Sequence, residues 1–185
     1  LLVVDKPAGL LSVPGRGDDK QDSLAARVQA GYPGARVVHR LDMGTSGLLV
    51  MALDPGVQRE LGRQFELRQV EKCYVAVVAG RVMEAQKTIE LPLIADWPNR
   101  PRQHVNFETG RPAQTDWRVV RYGDGETRVR LMPVTGRSHQ LRVHMLAQGC
   151  PILGDPIYAT GEALNFPRLM LHAESLSLHH PSSGN

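Results

Sequence analysis

In the stretch Val37-Val38-His39-Arg40-Leu41-Asp42-Met43-Gly44-Thr45-Ser46-Gly47-Leu48-Leu49-Val50-Met51-Ala52-Leu53, two apolar runs flank a turn rich in glycine and hydroxyl side chains. Val37-Val38 and Leu48 to Leu53 read as strands around the Gly44-Thr45-Ser46-Gly47 turn. Asp54 follows as a helix N-cap with Pro55 at the first helical position. Val57, Leu61 and Phe65 then recur at i, i+4 and i+8, the stripe of one helix face. Strand, turn, strand and helix within thirty residues argue for a sheet with a helix packed beside it.

The same punctuation extends in both directions. Leu1 to Val4 reads as a short strand turned by Lys6-Pro7-Ala8-Gly9. Asp22 or Ser23 caps a helix that carries Leu24 and Val28 and closes at Gly31 and Pro33. Cys73 to Ala79 is β-branched and suits a central strand. The segment from Pro92 to Pro112, with four prolines, reads as a long loop or hairpin. Thr115 to Tyr122 and Thr127 to Pro133 form an antiparallel pair around Gly123-Asp124-Gly125. Ser138 is expected to open a helix through Gln148, stopped by Gly149 and Pro151. Leu169, Leu171, Ala173, Leu176 and Leu178 alternate as further strand. Many strands with few helices, out of strict alternation, give an α+β class with a mixed, mainly antiparallel sheet.

With 185 residues and 42% hydrophobic content, the chain is expected to be one domain over residues 1–185. The first residue is not Met and the last are Pro181-Ser182-Ser183-Gly184-Asn185, so both ends read as trimmed, with a further strand expected beyond Asn185. No apolar run reaches the roughly 20 residues of a membrane helix. Cys73 and Cys150 have no C-x-x-C partner and read as reduced, mostly buried thiols of a cytoplasmic protein. There is no G-x-S-x-G elbow, no Walker A loop and no G-x-G-x-x-G fingerprint, so hydrolase, NTPase and dehydrogenase readings lack support.

Net charge is only +3, yet it is unevenly spread. Nine arginines and four acids lie between Arg100 and Arg142, and the 22 basic residues include only four lysines. Arginine's planar fork suits phosphates and bases. Genome composition would give the same bias, so charge alone leaves nucleic-acid binding open.

Three places could carry chemistry. Asp42 sits on a Gly-rich turn between strands, beside His39 and Arg40. By spacing alone the simpler reading is a turn-former, with Thr45 and Ser46 satisfying backbone groups. A carboxylate held at a cleft edge is the functional alternative. Tyr74, after Lys72 and Cys73, is either an amphipathic core residue or a ring that stacks on a base and handles a proton. Thr135-Gly136-Arg137-Ser138-His139-Gln140-Leu141-Arg142-Val143-His144 runs from strand through glycine turn into helix, an anion-friendly arrangement. His139 and His144 are five apart with no Glu between them, which argues against zinc.

Val38 to Gly47, with His39-Arg40-Leu41-Asp42 at its centre, resembles the signature of RluA-type pseudouridine synthases. Lys6 to Leu10, Lys72 to Ala76, Thr135 to His144 and Gly149 to Asp155 look like the family's other blocks in the same order. Leu91 to Pro101 and Thr109 to Thr115 are similar to its dual-specificity members. No N-terminal S4-type RNA-binding domain is seen in the sequence. The resemblance implies the pseudouridine synthase fold and an enzyme without redox cofactor or metal. Its expected substrate is RNA, a stem-loop of transfer RNA (at the anticodon), of 23S ribosomal RNA, or both. It implies Asp42 as the catalytic carboxylate, nucleophile or base, with Arg142 as its ion-pair partner and Tyr74 stacked on the uracil. Arg40 would fill the space left by a flipped base, and His39, Lys72, Arg137 and Gln140 are expected on the RNA-binding side. A cytoplasmic monomer is expected. The rival reading is a non-catalytic RNA-binding module working through the arginine-rich segment; a metal-dependent nuclease using His139, His144 and Asp42 is weaker still.

Overall fold

The computed structural model describes residues 1–183; Gly184 and Asn185 lie outside the described residues. The chain divides into two compact units, one formed by residues 1–71 with the segment from Ala173 onward, the other by residues 72–172.

In the first unit, β3 (Ser46–Ala52) is the central strand. β1 (Leu2–Lys6) runs antiparallel to it, with Leu2 opposite Met51 and Lys6 opposite Gly47. β2 (Arg36–Val37) pairs with its far end, Val37 also opposite Met51, so Met51 is flanked on both sides and fully buried. α1 (Leu24–Gly31) starts at Ser23, whose hydroxyl accepts from the Ala26 N–H. α2 (Pro55–Glu66) starts at Asp54, whose carboxylate accepts from the Val57 N–H. Leu61 points into the unit's interior and is completely buried. Gln64, on the same helix, clamps the returning chain by exchanging hydrogen bonds with both main-chain groups of His179.

The second unit is an antiparallel sheet. β4 (Glu71–Ala79) pairs with β9 (Glu126–Pro133), β9 with β8 (Gln114–Tyr122), and β8 with β5 (Gln86–Glu90). Alternation puts Thr127, Val129 and Leu131 inside with Trp117, while Arg128 and Arg130 point the other way. α3 (Gln140–Ala147) covers the inner face through Leu141 and Met145. A two-stranded hairpin, β6 (Leu93–Ala95) with β7 (Gln103–Val105), projects from the Pro92–Pro112 segment. β10 (Leu171–Ser177) then leads the chain back to the first unit.

The α+β expectation holds: β1 with β3, β2 with β3, β4 with β9, β5 with β8, β6 with β7 and β8 with β9 all pair antiparallel, and helices are few. Two local expectations change. α3 does not open at Ser138; its N-cap is His139 in the left-handed region (φ 53°), with no side-chain cap. β5 had no apolar pattern to betray it, because only Ile89 of Gln-Lys-Thr-Ile-Glu is buried.

Gly47, at the head of β3, has φ 110° and lies so close to the Ala173 backbone that a Cβ there would strike it. Both conditions demand glycine. Gly47→Ala is expected to cost about 3 kcal/mol in urea unfolding. An unchanged midpoint would contradict this placement.

Candidate active site

The loop that carries Asp42 is fixed almost residue by residue. The Ser12 hydroxyl donates to the Leu41 carbonyl (2.7 Å) and accepts from the Leu41 N–H (3.0 Å). The Thr45 N–H donates to the Asp42 carbonyl (3.0 Å) and closes a turn. The Met43 carbonyl accepts both from the Gly9 N–H (2.9 Å) and from Lys6 Nζ (3.0 Å). Upstream, His39 Nε2 accepts from the Val50 N–H and its ring stacks on Phe65 at 4.5 Å. The Asp42 side chain is half-buried and Arg40 is exposed.

Lys6 is the residue that sequence reasoning missed. It reads only as part of the turn after the first strand, yet its exposure is 0%. Nζ donates to the carbonyls of Pro7 (3.0 Å), Leu10 (2.7 Å) and Met43 (3.0 Å). Three acceptors match the three protons of an ammonium. Burial pushes its pKa down from 10.5 to about 8, against the pull of the Asp42 carboxylate, so at neutral pH it stays charged.

In the second unit, Tyr74 lies on β4 opposite Leu131, half-buried against the core. Lys72 Nζ reaches toward the Thr135 carbonyl at 3.5 Å, the long limit of a hydrogen bond. Arg142 is 4% exposed and forms a bidentate pair with the fully buried Asp155: Nε donates to Oδ2 (2.7 Å) and Nη2 to Oδ1 (2.6 Å). That pair engages two of the three guanidinium nitrogens. Asp155 Oδ1 also accepts from the N–H groups of Ile157 and Tyr158, which sets the carboxylate firmly in place. Such an arrangement resolves the cost of burying an arginine and fixes its plane.

The turn before α3 is organised by Gln140. This residue, expected toward RNA, is 3% exposed and uses both ends of its amide internally. Oε1 accepts from the Thr135 hydroxyl (2.7 Å) and the Arg137 N–H (3.0 Å), while Nε2 donates to the Gln114 carbonyl (2.8 Å) and Thr115 Oγ1 (3.0 Å). Its observed job is to shape the loop that presents half-exposed Arg137, whose Nε donates to the Pro112 carbonyl. His144 is likewise internal. Nε2 donates to the Leu91 carbonyl and Nδ1 accepts from the Thr115 hydroxyl, while burial lowers its pKa. A neutral, doubly bonded imidazole at 0% exposure is a structural strut.

Comparison with known proteins shows the family. A family model described as RNA pseudouridylate synthase matches residues 1–147. The chain is 57% identical over 187 residues to the dual-specificity RNA pseudouridine synthase RluA of Escherichia coli (strain K12), covering 100% of this chain and 85% of that protein. The RluA of Vibrio parahaemolyticus is 52% identical over 189 residues, with 99% of this chain and 76% of that protein covered. Among solved structures, Human RNA Pseudouridylate Synthase Domain Containing 1 superposes with a TM-score of 0.79 at 32% identity, covering 94% of this chain and 73% of that one. The chain therefore belongs to the RNA pseudouridylate synthase family, and it is an isomerase with the pseudouridine synthase fold.

The lowered pKa of Lys6 gives a pH test. Between about 8 and 10.5 the unfolded chain holds the proton that the folded chain has released, so stability rises with pH across that window. Urea unfolding of the wild type and Lys6→Met should show the wild type gaining relative stability from pH 8 upward. A difference flat across that range would contradict the burial of this amine.

Proposed function

We propose that this chain isomerises uridine to pseudouridine in stem-loops of both transfer RNA, at the anticodon arm, and 23S ribosomal RNA, with Asp42 as the reacting carboxylate. The observation that carries this reading is the identity of 52–57% across the chain to proteins named dual-specificity RNA pseudouridine synthases.

The reaction breaks the bond between ribose C1′ and uracil N1, turns the base, joins C1′ to C5, and moves a proton from C5 to N1. Atoms and electrons balance within one nucleotide. What the protein supplies is a carboxylate at the anomeric carbon, acting as nucleophile or as base toward a ribose proton. A loop held at Leu41, Asp42 and Met43 suits that task, since reacting groups must be placed to within an ångström. Arg142, its plane set by Asp155, serves as the cation that keeps the carboxylate ionised in a dry site. Tyr74 stacks on the uracil and accepts or relays the C5 proton.

The uridine must leave its stack first, at a cost of a few kcal/mol that is lowest in RNA loops. Arg40, exposed and two residues before Asp42, is the residue proposed to occupy the vacated position. His39, Lys72 and Arg137 lie on the RNA side, and Gln140 contributes by shaping the turn before α3. The hairpin is the natural docking arm: Trp97 at its tip is 66% exposed with the Arg100 guanidinium 4.2 Å from its ring centre, and Phe107, in the turn that follows, is 76% exposed. An aromatic–arginine pair facing solvent offers a base a stacking platform and a phosphate a cation. No helix among the described residues is long and apolar enough to cross a membrane. The chain is assigned to the cytoplasm, where its RNA substrates are, and acts as a monomer.

Two measurements test the reading. Tritium release from RNA carrying C5-labelled uridine should fall about a thousandfold or more in Asp42→Asn, with RNA affinity retained; wild-type release would refute it. Trp97→Ala should weaken stem-loop binding about tenfold, the scale of one lost stacking contact. Unchanged affinity would remove the hairpin from the RNA interface.

A further inference from the structure

We propose that Tyr158 is a positioning residue that couples the β6–β7 hairpin to Arg142, so that RNA engaged by the hairpin is registered at the arginine. The inference rests on the reading above that Arg142 takes part in the reaction.

Tyr158 is 4% exposed and belongs to a small apolar cluster with Leu93 and Val105 of the hairpin and Val143 of α3. Its polar contacts reach every neighbouring part. The hydroxyl accepts from the Gln103 N–H on β7 (2.8 Å). It also lies 2.7 Å from His139 Nδ1, the residue in left-handed conformation at the start of α3. The oxygen thus accepts from Gln103 and shares a second hydrogen bond with the His139 ring. Burial raises the hydroxyl's pKa, so it remains a donor across the working range. The ring centre lies 5.0 Å from the Arg142 guanidinium carbon and 5.3 Å from that of Arg102, just after the hairpin tip. The Tyr158 N–H, finally, donates to Asp155, the counter-ion of Arg142.

One side chain thus touches the hairpin, the entry to α3, Arg142 and the carboxylate that holds Arg142. Gln103 is bound by its main chain, so a shift of the hairpin must move the phenol. The phenol in turn is packed on the guanidinium and hydrogen-bonded to the residue that starts its helix. A bulky apolar residue would fill the cluster equally well. The hydroxyl adds a directional link between the hairpin and the helix entry.

The test is single-turnover pseudouridine formation on a stem-loop RNA at saturating enzyme, with RNA affinity measured in parallel. Tyr158→Phe keeps the ring and removes the link. Its rate should fall about tenfold, the scale of a lost hydrogen bond, while affinity stays within about twofold. The coupling predicts that Trp97→Ala also slows the reaction at saturation, and that this loss largely disappears in the Tyr158→Phe background, because the route is already cut. A wild-type rate for Tyr158→Phe, or losses that multiply in the double variant, would overturn the proposal. Should Tyr158→Phe fail to fold, Gln103→Pro removes the same hydrogen bond from the hairpin side, and a wild-type rate there overturns it equally. Arg142→Lys separates the two layers: a folded Arg142→Lys at full rate sinks the role of Arg142 itself. An impaired Arg142→Lys beside a normal Tyr158→Phe sinks only the coupling.

Discussion

A lysine ammonium buried to 0% exposure, with its three protons on three main-chain oxygens, is the constraint on which the Asp42 loop depends. Two of those oxygens, at Pro7 and Leu10, belong to the turn after β1, and the third is Met43, next to Asp42. An uncompensated charge in that position would cost several kcal/mol, so the loop has few other conformations open to it. Ser12 and Gly9 add main-chain clamps at Leu41 and Met43. The Asp42 carboxylate is thereby carried on a backbone fixed at the residues on either side of it, the preorganisation that the proposed reaction calls for.

The second unit solves a parallel problem for an arginine. Arg142 is buried on a short helix, and Asp155 answers its charge with two oxygens while being held by two further N–H groups. Around that pair the polar side chains Gln140, Thr115, Thr135 and His144 satisfy one another, so a buried polar layer sits beside the apolar core without orphaned groups among these four. Removing one member would strand the rest. This explains why residues that look like ligands in sequence, Gln140 and His144, serve as framework, and why the hairpin rather than this layer meets solvent with its aromatic rings.

Local chemistry was legible in the sequence where it acts over a few residues. Ser23 and Asp54 cap their helices as their residue types require, and the alternation from Thr115 to Pro133 gives the hairpin of β8 and β9. Asp42 was conspicuous through its Gly-rich turn, although spacing alone favoured a turn-former, and the family resemblance supplied the chemistry. What stayed hidden depends on partners far along the chain. Nothing near Lys6 says that Met43 will cap it, and nothing near Arg142 says that Asp155 will. Nothing near Tyr158 says that Gln103 and His139 will meet its hydroxyl. His139 adopts the left-handed conformation between the turn held by Gln140 and its contact with the Tyr158 hydroxyl, which local sequence does not announce.

With Asp42 proposed as the reacting carboxylate, activity depends on where the Lys6 ammonium holds its loop. The most direct measurement is the single-turnover rate of Lys6→Met on stem-loop RNA, taken well below its melting temperature with RNA affinity followed alongside. A displacement of about an ångström predicts a fall of about a hundredfold with affinity little changed. A folded Lys6→Met that forms pseudouridine at the wild-type rate would contradict the account.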